Sequence, residues 1–301
     1  MIAVVGSCNV DLVITVGRLP SRGETVSGDS LVQHLGGKGA NQAVACARLG
    51  ARTSLYAVVG SDEPGRALMR SFQEERVDTR HVKRIEGVPT GTANIWVEKD
   101  GGNSIVYIPG ANAFLNLGYV KQVFPHVSDA NVVLLQLETP LSAVVHLLRC
   151  LAQLSQRPKI ILDPAPAQSL TRALLAEVDV LTPNESEITA LTGTATIKEA
   201  CYQLRSRGAR AVVCKMGKQG AVLSSEGGYH KYPAFPVRAT DTTGAGDAFN
   251  AGLAYCLNDG IPIEEAIVFA NACGALATTS AGAQPSLPTI KEVRRLLMPS
   301  G

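Results

Sequence analysis

Short aliphatic runs alternate with helix-length amphipathic stretches along most of this chain, and that alternation constrains the fold more than any single motif. The runs at 132–137 (VVLLQL), 159–163 (KIILD), 178–182 (VDVLT) and 211–215 (AVVCK) have the length and composition of buried parallel strands. Between them, stretches such as 141–154 and 199–208 space Leu, Val and Ala as a helix does. The opening MIAVVG reads as a first buried strand rather than a secretory leader, because no charged segment or cleavage site accompanies it. Repeated βα alternation predicts an α/β fold with a central, mostly parallel sheet flanked by helices on both faces. Ligands of such sheets sit at the carboxyl ends of the strands, so the polar residues just after each run are the candidates for chemistry.

Two segments, 11–33 and 92–108, break the pattern. Both are rich in Val, Ile and Thr with Gly and Pro turns, and the second reads as a hairpin: strand 92–98, turn 99–102, strand 103–108. They predict a small β-sheet inserted in a single α/β domain spanning 1–301, placed as a lid over a substrate and offering a dimer surface.

The balance of 28 basic and 26 acidic residues leaves a net charge of +2, and no basic block is long enough for a nucleic-acid footprint. No apolar stretch reaches the roughly 18 residues expected of a membrane span. The seven cysteines are scattered without a CxxC pair, which argues against a disulfide framework and for a cytoplasmic setting. His34, His81, His126, His146 and His230 are isolated, with no metal-ligand spacing, which disfavours a metal hydrolase.

The most informative stretch is DTTGAGDAFNAG at 241–252. Gly244, Ala245 and Gly246 precede an apolar segment with helical spacing, and a side-chain-poor turn at a helix start presents backbone N–H groups to an anion. Asp247 falls in the first helical turn, where the positive end of the dipole favours its ionised form. A carboxylate there can take the proton of an attacking hydroxyl during phosphoryl transfer. By itself GAGD also fits an ordinary glycine turn with Asp247 as a helix-start residue.

GGKGANQ at 36–42 opens an Ala-rich helix that stops at Gly50. Its glycines allow close backbone approach; Lys38 and Asn41 are either donors for sugar hydroxyls or a solvated lysine and a helix cap. GSCNVD places Asn9 and Asp11 on one side of an extended backbone, able to grip neighbouring hydroxyls or merely to close a strand. TPNESE at 182–187 carries Asn184 and Glu187, which suit a hydrated Mg²⁺; a helix cap with an acidic first turn is the simpler reading. Glu138 follows the 132–137 run, MGKQG at 216–220 is a glycine loop fit for nucleotide contact, and SAGAQPS at 280–286 is a loop rich in backbone carbonyls.

In this order the motifs resemble the ribokinase branch of the PfkB sugar-kinase family, from residue 4 to about 288. GGKGANQA and DTTGAGDAFNAG are similar to the family's two signature regions; GSCNVD, QLE at 136–138, DPAPA at 163–167, TPNESE and GAQPS resemble the ribokinase branch more than distant members. The resemblance implies ATP-dependent phosphorylation of D-ribose at its 5-hydroxyl, with Asp247 as general base and Gly244, Ala245 and Gly246 as the anion hole. It places the sugar on Asn9, Asp11, Gly37, Lys38, Asn41 and Glu138, beside Asp247. ATP and its Mg²⁺ fall to Asn184, Glu187, Lys215, Gly217, Gly220, Gly246 and Asn271, the last standing where relatives often carry His against the adenine. An activating monovalent cation, K⁺, is assigned to Asp241, Thr243, Ala277, Ser280, Gly282 and Ser286, several through backbone oxygen, with Asp241 supplying the formal charge. The inserted β segments agree with the family's β-lid, which also clasps a homodimer.

Two further readings stay open. One is a kinase for 2-deoxyribose or another small sugar or nucleoside; against it, Asn9 suits a hydroxyl that deoxyribose lacks. The other is a non-catalytic sugar-binding protein on the same fold, against which stands Asp247 with its complete turn.

Overall fold

The structure, a computed structural model, describes residues 1–98 and 102–298. The chain begins with β1 (Ile2–Val5), β2 (Asn9–Val16), β3 (Gly28–Gly36), α1 (Lys38–Arg48), β4 (Thr53–Tyr56), β5 (Val58–Gly60) and α2 (Glu63–Glu74). It continues through β6 (Lys83–Ile85), β7 (Gly91–Glu98), β8 (Asn103–Ile108), α3 (Leu117–Val127), β9 (Val132–Leu135), α4 (Leu141–Ala152) and β10 (Lys159–Leu162). Next come α5 (Arg172–Ala176), β11 (Val180–Leu181), α6 (Glu185–Thr192), α7 (Ile197–Ser206), β12 (Ala211–Lys215), β13 (Ala221–Ser225) and β14 (Gly228–Tyr232). Four helices close the chain: α8 (Ala245–Asn258), α9 (Ile263–Ala277), α10 (Ala283–Ser286) and α11 (Ile290–Leu297).

Eight strands form the main sheet in the order β14-β13-β12-β11-β10-β9-β1-β4. Neighbours from β12 to β4 are parallel, and β13 and β14 add an antiparallel edge. The two-residue period of a strand explains the two-sided burial of the aliphatic runs. Ile2 and Val4 of β1 enter one core with α1, α2, α8, α9 and α11, while Ala3 and Val5 enter the opposite core with α3, α4, α6 and α7. The apolar run at 132–137 pairs as a strand only to Leu135, because Gln136 leaves the ladder for a buried side-chain bond to Gln42.

The small sheet, ordered β3-β2-β7-β8, grows directly from the carboxyl end of β1. Its first segment starts two residues before the expected boundary at Asp11, since Asn9 pairs with Gly36 on one side and Gly91 on the other. Those glycines leave room for polar side chains: a Cβ at Gly91 would lie 2.4 Å from Asn9 Oδ1, and one at Gly36 would lie 2.2 Å from Asp11 Oδ2. The hairpin expected over 92–108 is present as antiparallel β7 and β8; turn residues 99–101 lie outside the described residues.

Close approach governs the main sheet as well. A Cβ on Gly39 would meet Gly6 C and Ser7 N, both at 2.6 Å, so α1 can lie across the end of β1 only with glycine there. Backbone atoms cannot swing aside as a side chain can. Gly39→Ala should therefore destabilise the protein by about 1–3 kcal/mol. Gly17→Ala, whose Cβ meets nothing within 4 Å, should stay within about 0.5 kcal/mol of the parent. Urea unfolding of both variants checks this pair; equal midpoints would contradict the steric account.

Candidate active site

The carboxyl ends of the parallel strands converge. Ser7 follows β1, Gln136 and Glu138 follow β9, Asp163 follows β10, Asn184 follows β11, and Lys215 ends β12. Against this row stand the N-termini of α1 and α8, both entered through small residues.

Gly244, with φ of 79°, caps α8 in the left-handed region that favours glycine. Ala248 N–H makes the first helical bond, to Gly244 O, so the N–H groups before it lie ahead of the ladder. One is already spent: Ala245 N–H donates to Thr242 O at 3.2 Å. Asp247 sits in the first turn and is buried. Its Oδ2 accepts from Asn41 Nδ2 and its Oδ1 from Gln42 Nε2, each at 3.0 Å. The helix start was expected to favour the ionised acid, but burial prevails and pushes the carboxyl up to about 6; Asp163 adds to the rise, while Lys38, Asn41 and Gln42 oppose it. Asn41 is no helix cap: it lies inside α1 and crosses to α8.

Lys38 opens α1 after Gly37, whose φ of 89° accompanies a fit so close that a Cβ would lie 2.7 Å from Asn9 N. The residue as a whole is half-buried rather than simply solvated. Burial disfavours its charge, yet Asp247, Asp163, Glu138 and Glu187 together hold its pKa above the ordinary value. Glu138 Oε2 accepts from Lys38 N–H at 3.0 Å and from the Ser7 hydroxyl, tying the ends of β1 and β9 to α1. On β2, Asp11 is pushed up to about 7 by burial and by Glu138 and Asp247, against Lys38. Asn9, Asp11, Gly37, Lys38, Asn41 and Glu138 thus gather between the small sheet and Asp247.

On the other side of Asp247 opens a cleft of about 760 Å³. Asn184, Glu187, Lys215, Gly217, Gly220 and Asn271 all line it, together with Lys38, Asp163, Asp247 and the 244–246 turn. Phe235, Pro236, Val237 and Phe249 supply its apolar wall. Asn184 and Glu187 do form a helix cap: Asn184 Oδ1 accepts from Glu187 N–H, and Glu187 Oε2 accepts from Asn184 N–H, both at 2.8 Å. Burial pushes the Glu187 carboxyl up, against the pull of Lys215. Asn271 donates its amide to Tyr232 O and Pro233 O.

Among the cation candidates, Asp241, Thr243 and Gly282 are in direct contact. Asp241 Oδ1 accepts from Thr243 N–H at 2.9 Å and its hydroxyl at 2.7 Å, and Oδ2 accepts from Gly282 N–H at 2.8 Å. Burial works against that charge, but these bonds hold the carboxyl below its ordinary value. Ala277 ends α9 and Ser286 ends α10; with Ser280 they lie on the adjoining segment, and the Ser286 hydroxyl donates to Ala283 O.

Four residues without an assigned role in the sequence belong to the same site. Gln42 and Asp163 join the Asp247 network, and Asp163 Oδ1 accepts from Lys215 Nζ at 2.9 Å. Asn112 donates to Asn9 Oδ1 at 2.7 Å, and Tyr107 of β8 donates to Glu138 O at 3.0 Å, fastening the small sheet to the main one. Asp163 follows a strand as Glu138 does, so the same signal marks it; nothing local marks Asn112 or Tyr107. Among the described residues no helix is long and apolar enough to cross a membrane.

The family model described as pfkB family carbohydrate kinase matches residues 1–290. A ribokinase from Bacillus subtilis is 40% identical over 296 residues, covering 98% of this chain and 99% of that protein. A deoxyribokinase from Salmonella typhi is 32% identical over 302 residues, covering 98% of each. The structure of Arabidopsis thaliana ribokinase complexed with ribose and ATP superposes with a TM-score of 0.89 at 32% identity, covering 98% of both chains. With the family model spanning nearly its whole length, this chain belongs to the pfkB family of carbohydrate kinases.

Proposed function

We propose that this ATP-dependent sugar kinase phosphorylates D-ribose at its 5-hydroxyl, with Asp247 as the general base. The observation that carries the reading is the position of Asp247, buried where the polar group under the small sheet meets the nucleotide-sized cleft. The 5-hydroxyl oxygen attacks the γ-phosphorus, the bond to the ADP oxygen breaks, and the hydroxyl proton passes to Asp247. Lys38 favours the ionised base, and the N–H groups of Gly244 and Gly246 face the developing charge with Lys215 beside them. The Ala245 N–H contributes through the shape of the turn, since Thr242 O already takes it.

The residues also suit the ions. Glu187 keeps Oε1 without a protein partner among the described residues, which fits a magnesium ion that takes few protein oxygens and keeps several waters; such an ion would neutralise phosphate charge. A single ionised carboxylate, Asp241, at a loop of carbonyls suits a monovalent cation. Apolar side chains exposed on the edge strands of the small sheet, Leu31 at 65% and Ile105 at 57%, with Val32, Val106 and Ile108, fit a second copy of the chain against that sheet.

Ribose is favoured over 2-deoxyribose by Asn9. Its Oδ1 is taken by Asn112, so its Nδ2 is the free donor facing a hydroxyl. Leaving such a donor unpaired costs about 1–3 kcal/mol, or roughly five- to 150-fold. The deoxyribokinase relative makes 2-deoxyribose the second reading.

Initial rates of ADP release with ribose, 2-deoxyribose, fructose and adenosine, each with and without potassium, test the assignment. Ribose should lead 2-deoxyribose by at least about fivefold; the reverse order keeps the kinase and removes ribose, and binding of sugar without any turnover would favour a silent binding protein. Asp247→Asn should lower kcat by at least about 100-fold while ribose affinity stays within a few fold. Unchanged kcat would remove the base assignment.

A further inference from the structure

We propose that Gln42 is the positioning residue of this kinase's base, a shared amide that holds Asp247 and ties it to the Asp163–Lys215 pair at the nucleotide cleft. The inference rests on Asp247 acting as the base.

Gln42 lies on α1 and has 0% of its surface exposed. Its Nε2 donates both protons to carboxylates, to Asp247 Oδ1 at 3.0 Å and to Asp163 Oδ2 at 3.2 Å. Its Oε1 accepts from Gln136 Nε2 at 2.6 Å. The two carboxylates fix the orientation: turned over, the amide would set an oxygen against both of them. Asp163 in turn takes Lys215 Nζ on its other oxygen, and that ammonium lies 3.5 Å from the Cβ position of Gly246. An unbroken chain of bonds therefore runs from the end of β9, through α1, to the base on one branch and to Lys215, near the 244–246 turn, on the other.

Packing does not explain this residue. A fully buried amide costs free energy unless all its polar atoms are paired, and an apolar side chain would fill the same space without that demand. Here every donor and acceptor of Gln42 is used, and two of its three partners are acids. Asp163 and Asp247 repel one another in a buried setting, where the repulsion is little screened; an amide donating to both offsets that repulsion. Three charged groups act on Asp247: Lys38 from α1, Asp11 from β2 and Asp163 after β10, with Lys215 of β12 paired to the other oxygen of Asp163. Of the neutral donors among the described residues, Gln42 alone reaches both Asp247 and Asp163. Its loss leaves Asp247 harder to ionise and held through Oδ2 by Asn41.

The test is the pH dependence of kcat/KM, with thermal melts, for the parent, Gln42→Met and Gln42→Glu. The parent should lose activity as pH falls through about 6, where Asp247 takes up a proton. Gln42→Met should move that limb upward by about one pH unit, so that activity falls roughly tenfold more at pH 5 than at pH 9. Gln42→Glu keeps the shape, adds a third acid and should move the limb the same way; it carries the test if the methionine variant melts out. An acid limb unmoved in the folded variants, with equal loss at every pH, overturns the proposal and leaves Gln42 a packing residue. Asp247→Asn measured alongside separates the two claims: retained turnover removes the base itself, whereas lost turnover with unmoved limbs removes only the role of Gln42.

Discussion

A carboxylate buried at the start of a helix is costly unless its oxygens are paired, and the pairing of Asp247 organises the rest of this molecule. The partners come from α1, where adjacent residues Asn41 and Gln42 each give one bond across to α8. That demand fixes how α1 and α8 lie against each other over β1 and β9. Lys38, three residues earlier on α1, is then set among the same acids, and its charge opposes the rise that burial imposes on Asp247. Packing and reactivity thus share one set of contacts.

The glycines of GGKGANQ serve that arrangement sterically. Gly37 and Gly39 let α1 begin against the backbone of residues 6–9, and Gly36 clears space for the Asp11 carboxyl on the neighbouring strand. Gly252 does the same farther along, for a Cβ there would lie 2.7 Å from Cys273 Sγ, so α8 and α9 pack closely only without one. Such a motif is a record of close approach. Its polar members, Lys38 and Asn41, are placed by the shape that the glycines permit.

The fold was legible because buried parallel strands and helices leave different periods in the sequence. The 211–215 run is β12 residue for residue, and the stretch at 141–154 is α4 with its end moved from 154 to 152. Ends were less legible than middles: hydrophobicity carries the 132–137 run past Leu135, while Gln136 is drawn away by a partner 94 positions distant in sequence. The site divides in the same way. Residues held by a local turn, such as Gly244 and Asp247, or by a local cap, such as Asn184 and Glu187, announce themselves within a few positions. Asn112, which reaches Asn9 across 103 positions, and Tyr107, which reaches Glu138 across 31, acquire their roles only when the chain folds.

Catalysis as proposed requires two ligands to meet at one buried acid, and a crystal structure with ribose and a non-hydrolysable ATP analogue tests it most directly. It predicts the 5-hydroxyl oxygen within about 3 Å of an Asp247 oxygen, beneath the small sheet, with the terminal phosphate at the 244–246 turn on the far side. A sugar bound with no hydroxyl in reach of Asp247, or a nucleotide seated outside the cleft lined by Lys215 and Asn271, would contradict it.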